Sequence, residues 1–137
     1  MKPRDVAVLI LEKDRMILLQ KRSKTEKRFP DSWGLFGGGL KEGETPEQAL
    51  QREIKEEVGL ELKDPMLSAS YPYELKESNE AGTVYVFKEF YRGSSLALHE
   101  GQEMRWFDPA EALKLDLHPI YKTIIEEIVQ NRAPVVS

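Results

Sequence analysis

Cysteine is absent from the 137-residue chain, which removes disulfide scaffolds, thiolate zinc sites, thiol nucleophiles and iron–sulfur centres at once. A reducing compartment suits such a chain. Long hydrophobic runs are missing too. The apolar stretch near the N-terminus, Val6 to Leu11, falls far short of the ~20 residues that a spanning helix needs, and no small-residue cleavage site accompanies it. A cytoplasmic protein with no membrane partner is therefore expected. An excess of positive charge is also lacking: Lys and Arg total 20 against 24 Asp and Glu, for a net charge of −4. A mildly acidic chain has no global field for a polyanion, so a nucleic-acid partner is not expected. Any smaller anionic ligand has to be met by local cations or by a metal. Repeats, low-complexity tracts and Gly/Ser/Pro linkers are missing as well. Residues 1–137 read as one domain, a length at which on the order of 70% of the unfolded surface can be buried.

What is present begins with two short Val/Ile/Leu-rich runs, Val6–Glu12 and Met16–Lys21, separated by Lys13-Asp14-Arg15. They read as two strands joined by a tight turn, and being apolar on both faces they are expected to be covered on both sides. Residues 22–32 form a polar, basic loop, with Lys21, Arg22, Lys24, Lys27 and Arg28 close together. Gly37-Gly38-Gly39 follows Trp33-Gly34-Leu35-Phe36, and three consecutive glycines imply an unusual backbone path or close approach by a ligand. Thr45-Pro46-Glu47-Gln48 is a capping box with Pro at the first helical position, so a helix is expected to run to about Val58 and stop at Gly59. Leu67 to Leu75 alternates with period two, and Pro72 puts that strand on an edge. Ser78 to Gly82 reads as a turn and Thr83–Tyr91 as another strand. Met104–Phe107 is a short strand, Asp108-Pro109-Ala110-Glu111 opens a brief helix to Leu115, and an amphipathic helix starts near Pro119. The order implies an α/β sandwich with a mixed central sheet and flanking helices.

The helix after the glycines carries the chemistry. At about 100° per residue, Glu53, Glu56 and Glu57 share one arc beside an apolar stripe of Leu50, Ile54 and Val58. Like charges four apart cost an isolated helix about 0.2–0.5 kcal/mol, and an ordinary solvated acidic face explains neither the glycines upstream nor Arg52 placed to orient a carboxylate. A hard-cation site explains both. Magnesium takes oxygen ligands, keeps several waters and is commonly held by a few carboxylates together with substrate phosphates.

Residues 38–60 resemble the signature of the Nudix hydrolases, G-x5-E-x7-R-E-U-x-E-E-x-G-U with U aliphatic. Gly38, Glu44, Arg52, Glu53, Ile54, Glu56, Glu57, Gly59 and Leu60 match each fixed position. The resemblance implies a Nudix-type α/β/α sandwich that hydrolyses a nucleoside diphosphate linked to another group, with Mg²⁺ or Mn²⁺ as cofactor. It implies that Glu53, Glu56 and Glu57 hold metal, that Glu56 or Glu57 is the base, that Arg52 orients a carboxylate and that Glu44 fixes the loop–helix geometry. A backbone carbonyl of Gly37 or Gly38 is a further implied ligand. Phe36 stands where many members have proline.

His99-Glu100-Gly101-Gln102 is similar to a Glu-Gly-Gln stretch of the MutT-type members, which makes Glu100 a candidate ligand or base and Glu103 the runner-up. Arg22 and Lys21 are the candidate phosphate contacts, Trp33, Phe36 and Phe29 candidate stacking partners for a base, and His99 and His118 ordinary residues. The proline that marks many ADP-ribose-hydrolysing members has no counterpart near Leu75, and the motif of coenzyme A-type members is missing. A nucleoside triphosphate cleaved to monophosphate and pyrophosphate is the expected reaction. The base-reading Asn of MutT-type enzymes has no counterpart at Leu117. A nucleotide sugar or dinucleoside polyphosphate as substrate, and a nucleotide-binding sensor without turnover, are the alternatives. The protein is expected to be a monomer or homodimer acting on a small nucleotide.

Overall fold

The computed structural model describes residues 1–26, 29–99 and 101–132. Its strands are β1 (Lys2–Pro3), β2 (Val6–Lys13), β3 (Met16–Lys21), β4 (Trp33–Gly34), β5 (Phe36–Gly39), β6 (Met66–Leu75), β7 (Glu80–Phe90) and β8 (Glu103–Phe107). The helices are α1 (Pro46–Val58), α2 (Pro109–Ala112) and α3 (Pro119–Asn131). β2 lies at the centre of the mixed sheet. It runs parallel to β7 from Val6↔Val84 to Glu12↔Phe90 and antiparallel to β5 from Val6↔Gly39 to Leu9↔Phe36. Its hairpin with β3 turns at Asp14 and Arg15, both with positive φ (50° and 66°), the conformation of a two-residue turn that matches strand twist. β3 continues the sheet to β8 and β4, while β6 pairs with β7.

The double-sided apolar pattern of β2 has a direct structural cause. Val8 and Ile10 join Ile17, Leu19, Val84, Val86 and the α3 residues Ile124, Ile125 and Ile128 in one core. Ala7, Leu9 and Leu11 face the other way and meet Leu18, Phe36 and the α1 residues Leu50, Ile54 and Val58. Helices therefore cover the sheet on opposite faces, and the fold is an α/β sandwich with a mixed central sheet, as the order of elements implied.

Several local expectations hold and some shift. Thr45 caps α1, its Oγ1 accepting from the Gln48 backbone N–H at 3.2 Å while Gln48 Oε1 accepts from the Thr45 N–H at 2.9 Å. Gly59 stops the helix at φ 71°. The turn before β7 spans 76–79 rather than 78–82, because Glu80 to Gly82 already pair with β6. The helix begun at Asp108 ends at Ala112 instead of Leu115. The glycine run is a strand, β5, which period-two reasoning could not detect without side chains. Among the described residues, no helix is long and apolar enough to cross a membrane.

Candidate active site

Two elements meet at the site: β5, nearly bare of side chains, and the acidic face of α1. Gly37 sits at φ +146°, and a Cβ on it would lie 2.1 Å from the Ala7 carbonyl oxygen. A Cβ on Gly38 would come within 2.5 Å of Glu53 Cδ. The glycines are thus required so that β5 can pair tightly with β2 on one side and touch a glutamate on the other.

Arg52 ties this contact together. Its Nε donates to Glu44 Oε2 at 2.8 Å, and its Nη2 donates to Glu44 Oε1 at 2.9 Å and to the Gly39 carbonyl at 3.0 Å. Its Nη1 donates to Glu53 Oε1 at 2.7 Å. The planar guanidinium matches a carboxylate with two parallel donors, which a lysine cannot do. Glu44 also accepts from the Lys41 backbone N–H at 2.7 Å. The hydrogen bond from Arg52, reinforced by the Lys41 N–H, lowers the Glu44 pKa from the usual 4.5 to about 2. The same bond to Glu44 raises the pKa of Arg52.

Glu57 is buried, 5% exposed, and is held from two directions. The Gly37 N–H donates to its Oε1 at 3.0 Å, and Gln20 Nε2 donates to its Oε2 at 2.8 Å. Glu53 and Glu57 line one cleft of about 550 Å³ together with Gln20, Arg22, Gly37 and Gly38. Glu56 is placed differently. Its side chain is 54% exposed, with one oxygen 3.9 Å from Arg52 Nη1.

Among the described residues, no three His, Cys, Asp or Glu side chains converge tightly enough to define a metal centre. The donor chemistry nonetheless fits a hard divalent ion, because two carboxylates and the glycine backbone border the same cleft. Mg²⁺-type sites commonly use one or two protein carboxylates and take their remaining oxygens from water and substrate phosphates.

The other expected residues separate. Arg22, just after β3, lines the cleft, whereas Lys21, the last residue of β3, pairs with Asp31 at 3.5 Å. Trp33 and Phe36 require correction as stacking residues. They are 8% and 2% exposed and belong to the two cores, Trp33 edge-on to Phe107 with ring centres 5.1 Å apart. Phe29 borders a smaller cavity that adjoins the cleft through Arg4, Arg22, Gly37 and Gly38. Glu100, Lys27 and Arg28 lie outside the described residues. The loop approaching Glu100 is strapped to the end of α1: the Ala97 N–H donates to Val58 O at 3.1 Å, the His99 N–H to Glu57 O at 2.8 Å, and His99 Nδ1 to Glu56 O at 3.0 Å. Glu103, in β8, pairs with Arg105 at 3.0 Å.

Sequence reasoning missed Arg4, Gln20 and the capping role of His118, whose Nδ1 accepts from the Ile120 N–H at 3.1 Å. Only a polar residue at position 20, directly after the apolar run Met16–Leu19, hinted at Gln20.

A glycine strand laid against a glutamate helix, with an arginine locking the two, is the arrangement that the resemblance to the Nudix signature implies. The chain matches the NUDIX domain over residues 1–128 and belongs to that family. It is 31% identical to the CTP pyrophosphohydrolase of Escherichia coli K12 over 97% of this chain and 96% of that protein. The solution structure of the E. coli ORF135 protein superposes with a TM-score of 0.81 at 30% identity, covering 99% of this chain and 96% of that one. The crystal structure of a MutT protein from Methanosarcina mazei reaches a TM-score of 0.83 at 19% identity, covering 97% of both chains, a likeness of fold. The chain is a Nudix hydrolase, and enzymes of this family generally use divalent metals and act on small nucleotides.

Proposed function

We propose that this protein hydrolyses a nucleoside triphosphate to the monophosphate and pyrophosphate in a Mg²⁺-dependent reaction, with Mn²⁺ as a substitute. The observation that carries this reading is the end-to-end similarity to a CTP pyrophosphohydrolase, combined with a cleft bordered by Glu53, Glu57 and the Gly37–Gly38 backbone. In the reaction, one water adds across one phosphoanhydride: a new P–O bond forms, the bridging P–O bond breaks, and the water's proton passes to a base.

The cation would be held by Glu53 and Glu57 with the glycine backbone, and by Glu56 after rotation of its exposed side chain. When bound, such an ion neutralises phosphate charge and lowers the pKa of a coordinated water. The chain's own groups do the rest. Arg52 fixes Glu53, Gln20 and the Gly37 N–H fix Glu57, and Arg22 supplies positive charge on the cleft wall. Glu57 or Glu56 takes the proton, with Glu100 as a further candidate. The adjoining cavity, walled by Phe29, Tyr73, Ile120 and Tyr121, is assigned to the nucleoside. A cytoplasmic setting suits such a substrate.

The test is a panel of ribo- and deoxynucleoside triphosphates, nucleotide sugars and dinucleoside polyphosphates, incubated with Mg²⁺ and resolved by ion-exchange chromatography. Monophosphate and pyrophosphate should appear in equal amounts from at least one triphosphate. Turnover confined to the sugars or dinucleotides would overturn the triphosphate assignment, and tight binding without any turnover would overturn catalysis.

A further inference from the structure

Gln20 is absent from the nine-position signature, yet it is buried in the sheet, 6% exposed, against the acidic helix. A buried amide costs free energy unless its polar atoms find partners. Gln20 Nε2 meets Glu57 Oε2 at 2.8 Å across 37 residues of sequence. The amide thus presents its NH₂ side to Glu57, donor to acceptor. The Gly37 N–H takes the other oxygen at 3.0 Å. Two donors from two strands therefore set the plane of one carboxylate.

The far side of Gln20 is equally confined. Gly101 has φ +86°, and a Cβ there would lie 2.9 Å from Gln20 Oε1 and 3.0 Å from the Lys21 carbonyl oxygen. A side chain at position 101 would therefore press on the Gln20 amide.

We propose that Gln20 is a positioning residue: its amide holds the Glu57 carboxylate in the orientation that grips a divalent cation, without touching the substrate. This rests on the reading of Glu57 as a cation-holding group. Each carboxylate oxygen can accept more than one bond, so an amide donor does not by itself bar a cation. Partners that orient a ligand from behind typically change metal affinity by about 10–100-fold when removed.

The experiment is a Mn²⁺ titration of the metal-free full chain by electron paramagnetic resonance, read as the dissociation constant with no substrate present. Gln20→Met keeps the length of the side chain and removes the donor, and should weaken Mn²⁺ binding by about tenfold. Gln20→Asn keeps the amide one methylene short, should weaken it in the same direction, and decides the matter if the Met variant does not fold. In a Glu57→Gln background, Gln20→Met should produce no further loss. Equal Mn²⁺ affinity in the unaltered chain and the folded variants, or the same loss in both backgrounds, would overturn the role of Gln20. Absence of Mn²⁺ binding by the unaltered chain would instead overturn the cation reading of Glu57.

Discussion

At the residue scale, the site depends on how three carboxylates are held rather than on how many there are. Glu57→Gln keeps shape and hydrogen-bonding length but removes the charge, so turnover of the proposed triphosphate substrate should fall to background while circular dichroism stays unchanged. A near-normal rate would show that the cation lies elsewhere. Arg52→Lys retains charge but cannot serve Glu44, Glu53 and the Gly39 carbonyl together. A small misplacement of Glu53 should then lower kcat by on the order of 10²-fold, with purified protein still folded.

Glu44 gives a pH signature. Its carboxyl, lowered from 4.5 to about 2 by Arg52, favours the folded state when ionised. That contribution is complete above pH 4.5 and is lost as pH falls toward about 2. The urea midpoint of the unaltered protein should therefore drop more steeply across this window than that of Glu44→Gln. Identical pH slopes would contradict the pairing. The helix period alone placed Glu53 beside Arg52 on α1, whereas the part played by Glu44 came only from the resemblance to the Nudix signature, because its contact with Arg52 spans a loop and eight residues.

At the element scale, β5 and α1 explain why adjacent glycines have different tasks. A methyl group at Gly37 meets backbone, 2.1 Å from Ala7 O and 2.7 Å from Val8 Cα, at a φ of +146°. A methyl group at Gly38 meets the end of the Glu53 side chain at 2.5 Å. Gly37→Ala should lower the thermal midpoint strongly, whereas Gly38→Ala should leave the midpoint close to that of the unaltered protein and reduce kcat by displacing Glu53. Equal effects of the two substitutions on both quantities would refute this division. The helices and long strands were readable because capping residues and apolar periods are local properties. β1, β4 and β5 were not, since two- to four-residue strands with glycine or proline have no period to detect and exist only through pairing with β7, β3 and β2. The same reason explains why Trp33 and Phe36 looked like stacking residues: burial depends on which sheet face they reach, and strand register decides that.

At the scale of the whole molecule, a net charge of −4 conceals a cleft lined by Arg22 and Arg4 as well as by Glu53 and Glu57. Attraction of a triphosphate to such a surface is local and screened by salt. KM should rise when NaCl is increased from low to physiological ionic strength, and Arg22→Gln should raise KM and flatten that dependence while changing kcat less. A KM indifferent to both would remove Arg22 from substrate binding. The chain's chemistry was determined by sequence: a helix that presents Glu53, Glu56 and Glu57 on one arc does so wherever it forms, because the 3.6-residue period is intrinsic to the backbone. Tertiary structure alone decided which of them face the cleft, that Gln20 and the Gly37 N–H grip Glu57, and that Arg22 rather than Lys21 reaches the same space. Those contacts join residues 20 to 37 positions apart, and the pairing of β2 with β3 and β5, together with the packing of α1 on the sheet, brings them within hydrogen-bonding distance.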